Sequence, residues 1–227
     1  MDRPLYSVIL PVYNQADQVG KIVKNFAGAL EKTGKDYELI LVVNGSKDDS
    51  WELAKKEAAA YRKLLVFCLE KEGWGRAVRF GLAKARGQFL CYLNSARTNV
   101  DDVIKILEYA EINKNVVIKA TRIVREKFFR KVGSIFFNLE ARLVLKIPVW
   151  DINGTPKVIP RSILNDLTLE SESDLLDAEI MAKIIKRHIP VMEFPVILTQ
   201  RISGKSTTNL KSALKMYIGL LALAKKI

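Results

Sequence analysis

Short apolar runs alternate with helical segments along the first half of the chain, and this alternation constrains the fold more than any other feature. The predicted strands are residues 7–13, 37–43, 64–69, 88–93 and 115–120. The predicted helices between them are residues 16–30, 48–61, 73–85 and 101–110. Strands and helices that alternate at these lengths predict an α/β fold with a doubly wound, mostly parallel sheet.

The loops that follow the first four predicted strands are the expected ligand-binding region. Right-handed crossovers bring the carboxyl ends of parallel strands to one edge of a sheet, and ligands bind outside that edge. These loops are residues 13–15, 44–46, 70–75 and 94–99. Within the third loop, Gly-Trp-Gly at residues 73–75 opens a helix. It is interpreted either as a phosphate cradle at a helix N-terminus or as a tight turn.

The second half of the chain lacks the regular alternation of strands and helices seen in the first half, but it contains no linker and no repeat. The predicted elements are helices at residues 128–145, 175–187 and 207–226, a short strand within 151–160 and a strand at 191–200. Because no Pro/Ser-rich or low-complexity segment interrupts the chain, residues 1–227 are predicted to form a single domain.

The balance of charges predicts an anionic partner. The chain has 37 Lys and Arg residues against 25 Asp and Glu residues, which gives a formal net charge of +12. Such an excess suits nucleic acid, a phosphorylated substrate or an anionic membrane surface. The sequence contains neither the Cys/His spacing of a zinc site nor aromatic residues interleaved with basic ones, so no nucleic-acid partner is predicted.

Cysteine usage and hydropathy predict a cytoplasmic location. Cys68 and Cys91 both lie in apolar runs and are predicted to be buried free thiols, which favours a reducing compartment. The amino terminus lacks the pattern of a signal peptide, and no apolar stretch approaches the roughly 20 residues that cross a bilayer. The expected location is the cytoplasm, either free or peripheral on the cytoplasmic membrane face.

Several loops carry motifs that resemble those of family 2 glycosyltransferases, which have the Rossmann-like GT-A fold. Residues 8–14 (Val-Ile-Leu-Pro-Val-Tyr-Asn) resemble the opening strand, and residues 42–50 resemble the second-strand turn, usually Val-Asp-Asp-Gly-Ser-Thr-Asp-Gly. Residues 73–87 are similar to the family's Gly-x-Gly-x-Ala-x-x-x-Gly helix. Residues 151–157 and 201–206 resemble loops of the polyprenyl-phosphate branch, which includes dolichyl-phosphate mannose synthase.

The resemblance implies an inverting transferase. It would move a sugar from a nucleoside-diphosphate sugar, of the UDP or GDP type, to a polyprenyl phosphate or another lipid-linked or saccharide acceptor. It also implies a nucleotide-sugar-binding half at residues 1–125 and an acceptor-side half at 126–227, which ends in an amphipathic helix. The residues that match donor-binding positions are Pro11, Tyr13, Asn44, Ser46, Gly75, Arg79, Asn94 and Ala96.

One motif of the family is missing. The family holds a divalent cation with an Asp-x-Asp after the fourth strand, where this chain has Asn94-Ser95-Ala96. Neither Asn94 nor Ala96 supplies an anionic ligand, and Asn44 stands where the family usually has an aspartate. The resemblance implies Mg²⁺ or Mn²⁺ as cofactor, whereas these replacements predict that neither ion is held tightly.

Two interpretations of this loss remain open. In the first, basic side chains neutralise the donor phosphates in place of the metal, and transfer is metal-independent. In the second, the chain is an inactive module that binds a nucleotide sugar, a membrane lipid or a protein partner. The predicted phosphate-binding residues are Arg97, Arg122, Arg201 and Lys205.

Three acidic residues are candidates on the acceptor side. Asp177 and Glu179 lie in the first turn of a predicted helix, where acids also serve as plain partners of the helix dipole. The resemblance implies that an acid on this helix acts as the catalytic base toward the acceptor. Asp151 is interpreted either as a turn-forming residue or as an acceptor-side ligand.

Two predicted helices combine Lys and Arg with large apolar residues. They are the helix at residues 128–145 and the terminal helix at 207–227. The pattern is compatible with core packing under a solvated basic face, and also with a peripheral contact to a membrane surface. A homo-oligomer interface is a third interpretation for the terminal helix.

Overall fold

The alternating first half folds as a wound sheet with helices on both faces. In the computed structural model, the described residues are 3–124, 128–197 and 210–227. The strands are β1 (Tyr6–Val12), β2 (Tyr37–Asn44), β3 (Leu64–Leu69), β4 (Phe89–Tyr92), β5 (Val117–Val124), β6 (Lys157–Pro160) and β7 (Val191–Ile197). The helices are α1 (Val19–Glu31), α2 (Ser50–Ala60), α3 (Trp74–Lys84), α4 (Val100–Ile112), α5 (Phe128–Val144), α6 (Arg161–Asn165), α7 (Leu176–Lys186) and α8 (Leu210–Ala224).

The strands of the described residues form one sheet in the order β3-β2-β1-β4-β6-β5-β7. Neighbouring strands are parallel except at β6, which runs antiparallel to both β4 and β5. The reversal arises because β6 begins at the carboxyl edge, with Lys157 opposite Tyr92, instead of at the amino edge. This order confirms the predicted α/β fold with a mostly parallel sheet.

β1 shows how the sheet is buried on both faces. Val8 and Leu10 pack into a cluster with α1 and α4, whereas Ile9 between them packs into a second cluster with α3 and α7. Successive side chains of a strand point to opposite faces, so a continuous apolar run fits a strand that helices cover on both sides. A third cluster joins α5, α7 and α8. These layers fix the strand ends from which the loops of the site project.

The prediction that both cysteines are buried is wrong for one of them. Cys91 lies in the central strand β4, and burial raises the pKa of its thiol. Cys68 is exposed because it lies in β3, an edge strand that pairs only with β2. A six-residue apolar run is the same in a central strand and in an edge strand, so the sequence pattern did not distinguish them.

One element boundary differs markedly from the prediction, and one element was not predicted. β5 extends to Val124 rather than residue 120, because its pairing with β7 continues to that point. The short helix α6 follows Pro160 and was not predicted. The predicted end of the last strand, at residue 200, and the predicted start of the terminal helix, at residue 207, lie outside the described residues.

Candidate functional site

A cleft of about 530 Å³ opens at the carboxyl edge of the sheet, where β1, β2 and β4 end. β1 pairs with both β2 and β4, so the loops that follow these strands are neighbours. The structure therefore brings together five residues predicted to bind the donor. They are Pro11, Tyr13, Asn44, Asn94 and Ala96.

Asn44 lies at the floor of the cleft, where both the nitrogen and the oxygen of its side-chain amide form hydrogen bonds. Its Nδ2 donates to the carbonyl of Val12 at 2.8 Å, and its Oδ1 accepts from the backbone N–H of Gly73 at 3.0 Å. The side chain is 3% exposed. An aspartate cannot donate to a carbonyl, so only an amide joins the end of β1 to the start of α3 in this way. This pairing explains why Asn stands where the resemblance leads one to expect Asp.

Tyr13 and Ser46 occupy different positions at this edge. The Tyr13 hydroxyl donates to Glu72 at 2.7 Å, and this hydrogen bond raises the pKa of Tyr13. Ser46 does not line the cleft; its Oγ accepts the backbone N–H of Asn14 at 3.0 Å. Asn14 has a φ of 47° and needs such local hydrogen bonds to hold that conformation. Ser46 therefore shapes the loop that carries Tyr13.

The neutral run after β4 is folded back onto β1. Asn94 is exposed, and its Oδ1 accepts the backbone N–H of Ala96 at 3.2 Å. Ser95 is buried and donates its hydroxyl to the carbonyl of Pro11 at 2.9 Å. Arg97 is half-buried, and its backbone N–H donates to the carbonyl of Asn94 at 3.1 Å. The run thus forms a compact turn with Asn94 at the cleft surface.

The opposite wall of the cleft comes from the loop before α7, residues 172–174. Two arginines of α3 hold this loop. Arg76 donates to Glu172 at 2.7 and 2.9 Å, and Arg79 donates to Glu172 at 2.5 Å and to the carbonyl of Glu170 at 2.9 Å. Arg79 was predicted as a donor-binding residue, but in the structure it binds the loop instead of lining the cleft.

Gly75 allows α3 to lie close to this wall. A Cβ built on it would collide with the carbonyl oxygen of Ser173 and lie 2.8 Å from its carbonyl carbon. The glycine is therefore required for the close approach of α3 and the loop. Of residues 73–75, Gly73 and Trp74 line the cleft, whereas Gly75 does not; the tight turn therefore describes Gly75.

The donor-binding residues predicted from the sequence did not include several lining residues: Gln15, Glu72, Trp74, Glu172, Ser173 and Asp174. Asp174 is the most informative of them. Burial, together with the charge of the nearby Asp177, raises the pKa of its carboxyl group. The only available signal was its position just before the predicted α7, and that position fits an ordinary helix start equally well.

A profile of the family described as glycosyl transferase family 2 matches residues 7–168. The chain belongs to this family. The matched segment contains β1 apart from Tyr6, the strands β2 to β6 and the loops that form the floor of the cleft. The wall at residues 172–174 and the strand β7 lie just beyond the match.

Two relatives of this family member are undecaprenyl-phosphate 4-deoxy-4-formamido-L-arabinose transferases. The enzyme of Pectobacterium atrosepticum is 30% identical over 141 residues, which are 60% of this chain and 42% of the relative. The enzyme of Aeromonas hydrophila is 24% identical over 222 residues, which are 96% of this chain and 67% of the relative. The chain thus spans between two fifths and two thirds of these relatives.

Solved structures of low sequence identity share the fold. Glucosyl-3-phosphoglycerate synthase from Mycobacterium tuberculosis, in complex with Mn²⁺, UDP-glucose and phosphoglyceric acid, superposes with a TM-score of 0.75 at 14% identity. The match covers 98% of this chain and 79% of that one. It identifies the architecture as that of a GT-A glycosyltransferase.

The cleft of this family 2 member does not fit the divalent cation that the fold implies. The end of β4 offers an amide at Asn94 and a methyl group at Ala96, where a hard cation needs carboxylate oxygens. Within residues 3–124, 128–197 and 210–227, no three His, Cys, Asp or Glu side chains cluster as metal ligands. Glu72 and Glu172 line the cleft but are already engaged by Tyr13 and by the arginines of α3. Burial raises the pKa of Asp174, the third carboxyl group of the lining, and so disfavours its anionic form.

Asp177, predicted as a catalytic base, is buried behind the cleft wall. It is 2% exposed, accepts the Tyr92 hydroxyl at 2.8 Å and forms an ion pair with Lys157, which is fully buried. Burial lowers the pKa of Lys157 to about 8, although Asp177 opposes the shift. Asp177 does not line the cleft, and its role toward an acceptor stays a prediction. The Tyr92 ring packs against Trp74, which does line it.

Glu179, the second predicted base, is also fully engaged. It is 1% exposed, accepts the backbone N–H groups of Glu170 and Ser171 at 2.9 and 2.8 Å, and pairs with Lys183 at 2.6 Å. These contacts anchor the start of the cleft wall to α7. Glu179 does not line the donor cleft, and its role toward an acceptor stays a prediction.

Arg122 and Asp151 form an ion pair between the end of β5 and the loop before β6. Arg122 donates to Asp151 from its backbone N–H at 3.0 Å and from Nε at 2.6 Å. Asp151 is 4% exposed and has a φ of 46°, so it is a turn residue whose carboxylate neutralises Arg122. Neither of them lines the cleft. The predicted phosphate-binding residues Arg201 and Lys205 lie outside the described residues.

The two amphipathic segments form helices whose apolar residues are only partly covered. α5 and α8 pack on each other and on α7 through the third cluster, which includes Phe137 and Leu220. Large side chains of α5 remain exposed nonetheless, among them Phe136 at 61% and Leu143 at 72%. In the described part of the chain, no helix has the length and hydropathy needed to span a bilayer.

Proposed function

We propose that this chain transfers a sugar, with inversion, from a nucleoside-diphosphate sugar of the UDP or GDP type to a polyprenyl-phosphate acceptor. The observation that supports this most is the cleft itself. In a family 2 chain, it gathers Pro11, Tyr13, Asn44 and Asn94 at the carboxyl edge of the sheet. The acceptor class follows the two relatives, which are named for transfer to undecaprenyl phosphate.

The chemistry of such a transfer does not need a general base. A phosphate oxygen of the acceptor is already an anionic nucleophile, so it forms the new bond to the anomeric carbon directly. The bond from that carbon to the diphosphate breaks, and the nucleoside diphosphate leaves with the electron pair. This route agrees with the engagement of Asp177 and Glu179 in buried pairs. It also favours an active transferase over an inactive module, because a reaction that needs no general base does not require a free carboxylate in the cleft.

The leaving diphosphate still needs positive charge. The described cleft lining contains three carboxylates, from Glu72, Glu172 and Asp174, and no Lys or Arg. Fixed cations stabilise a developing anion where a metal is not available. We assign this role to Arg97, which directly follows the turn at the cleft, and to Arg201 and Lys205 of the segment before α8. The bidentate fork of Arg suits a diphosphate.

Removal of divalent cations is expected to leave donor binding nearly unchanged. Because Asn94 and Ala96 provide no hard anionic ligand, the affinity for UDP or GDP should differ by less than about twofold between EDTA and Mn²⁺. Isothermal titration with both nucleotides measures this difference. The matched variant is Asn94→Asp/Ala96→Asp, which restores the acidic pattern and should make binding depend on the cation. A loss of tenfold or more in EDTA with the unaltered chain would refute metal independence.

The proposal extends to a peripheral contact with the membrane that holds the acceptor. α5 exposes an apolar stripe at positions that recur on one helix face: Ile135, Phe136, Leu139 and Leu143. Beyond it, Trp150 is 51% exposed, and the guanidinium of Arg142 lies 4.5 Å from its ring centroid. An aromatic residue beside a cation is typical of a protein surface that lies at a lipid interface.

The double substitution Phe136→Ser/Leu143→Ser is expected to reduce binding to anionic vesicles by at least about tenfold, because two large side chains leave the lipid. Co-sedimentation with vesicles of phosphatidylglycerol and phosphatidylcholine measures the bound fraction. Ile112→Ser is the control, since Ile112 is 78% exposed but lies on α4. Equal losses in both variants, or no binding by the unaltered chain at low salt, would disprove the contact at α5.

A further inference from the structure

A second cavity lies at the amino edge of the sheet, on the side opposite the cleft. Its volume is about 400 Å³, and it is lined in part by Phe89 and Pro160, which face each other where β4 starts and β6 ends. β1 runs between the two edges, so the cavity and the cleft are about 20 Å apart. We infer that this cavity is a binding site for a phosphomonoester, separate from the donor cleft.

The charged residues that line this cavity are all cations. Arg3, Lys114 and Arg161 line the cavity, and its lining contains no Asp or Glu. None of the three forms a salt bridge with a carboxylate of the described residues. The donor cleft has the opposite composition, with carboxylates and no cation among its described lining. A concave surface of one charge sign concentrates ions of the other sign.

Arg161 is held in a fixed orientation at this site. Its Nε donates to the carbonyl of Gly87 at 2.6 Å, and its Nη2 donates to the carbonyl of Ala85 at 2.7 Å. The backbone N–H of Arg161 donates to Gln88 at 2.8 Å. These contacts leave Nη1 without a hydrogen bond to any described residue. A guanidinium whose orientation is already fixed loses little entropy when it binds an anion.

The cations also repel one another when the cavity is empty. Burial, and after it the charge of Arg3, lowers the pKa of Arg161, although the charge of Glu38 opposes the shift. A bound dianion would offset this repulsion, because an opposite charge within a few ångströms favours the charged form of each group. Because a bound anion relieves this repulsion, the repulsion increases the affinity of the cavity for an anion.

Neutral polar groups complete the lining and favour phosphate over a simple halide. They are Gln88, Asn115, Ser162 and Asn165. Amide and hydroxyl groups donate hydrogen bonds to the several oxygens of a phosphate, while the cations supply its counter-charge. The volume leaves room for a small organic group beyond the phosphate. A phosphomonoester such as a sugar phosphate has this combination of a dianion and a polar body.

The test uses the full chain with inorganic phosphate and glucose 6-phosphate as probes in isothermal titration at low ionic strength. Arg3→Gln/Lys114→Gln should weaken both by at least about tenfold, because two charge-assisted contacts are lost. Both side chains are exposed, so the fold is expected to persist. Lys21→Gln/Lys24→Gln on α1 removes the same charge at another exposed surface and should leave both affinities unchanged.

Several outcomes would overturn the inference. They are the absence of phosphate binding by the unaltered chain, equal weakening by the α1 control, and loss of phosphate binding on a cleft substitution such as Trp74→Ala. Nucleotide affinity separates this inference from the proposed function. Arg3→Gln/Lys114→Gln should not alter UDP or GDP binding, whereas a failure of the donor site would abolish nucleotide binding and leave the phosphate site intact.

Discussion

Replacement of Lys157 by Met is expected to lower the free energy of unfolding by about 3–5 kcal/mol, because it leaves a buried carboxylate without its counter-charge. Lys157 is fully buried in β6, and Asp177 is 2% exposed. After the substitution, the Tyr92 hydroxyl at 2.8 Å would be the remaining hydrogen-bond donor to Asp177 in the described contacts. Chemical denaturation at neutral pH, followed by tryptophan fluorescence and circular dichroism, measures the loss.

The double variant Lys157→Met/Asp177→Asn is the matched control for this prediction. It removes both charges and keeps a side-chain acceptor for the Tyr92 hydroxyl, so it should regain at least about 2 kcal/mol relative to Lys157→Met. If the two variants are equally unstable, the damage comes from the lost packing of the lysine stem and not from the unpaired charge. If Lys157→Met is as stable as the unaltered chain, the buried ion pair contributes nothing.

The position of this ion pair decides how Asp177 contributes to function. Asp177 lies in the first turn of α7, directly after the cleft wall, and Tyr92 joins it to the ring of Trp74. The pair therefore holds the wall and one aromatic lining residue in register with β4 and β6. We expect an acid in this location to affect the proposed reaction through the shape of the cleft, in keeping with an acceptor that needs no deprotonation.

Much of the fold was predictable because its signals are local. Apolar runs of strand length, helix starts and strand-end motifs each depend on a few adjacent residues, and together they gave the sheet and the cleft floor. The orientation of β6 was not available from such signals, because it depends on where α5 returns the chain. The exposure of Cys68 likewise depends on the order of the strands, which no local pattern encodes.

The parts of the site that could not be predicted depend on pairs of residues far apart in the chain. Arg79 and Glu172 are separated by 93 positions, and Tyr92 and Asp177 by 85. Lys119, which is also fully buried, meets Glu193 at a separation of 74. From the sequence, the charged members of these pairs are indistinguishable from charges available for a ligand. In the structure, each charge is neutralised or hydrogen-bonded by its distant partner. Residues predicted to bind a ligand therefore hold the cleft wall instead.

Substitution of Gly75 by Ala is expected to reduce the rate of sugar transfer by roughly 100-fold while the protein stays folded. The new Cβ would collide with the backbone of Ser173, so the loop at residues 172–174 must move by about 1 Å or more. Backbone cannot turn aside as a flexible side chain does, and this loop is one wall of the cleft. Overpacking of this kind costs about 1–3 kcal/mol of stability. Transfer of radiolabelled sugar to polyprenyl phosphate, with nucleotide affinity measured alongside, reports the effect.

Gly28→Ala provides the matched control for this last prediction. Gly28 lies within α1, and a Cβ built on it meets nothing within 4 Å. Alanine is a better helix former than glycine by about 1 kcal/mol, so this variant should be slightly more stable and fully active. If Gly75→Ala retains the full transfer rate, the cleft wall tolerates displacement, and the loop before α7 is not part of the functional site. If both glycine variants lose activity equally, the effect is not specific to the wall.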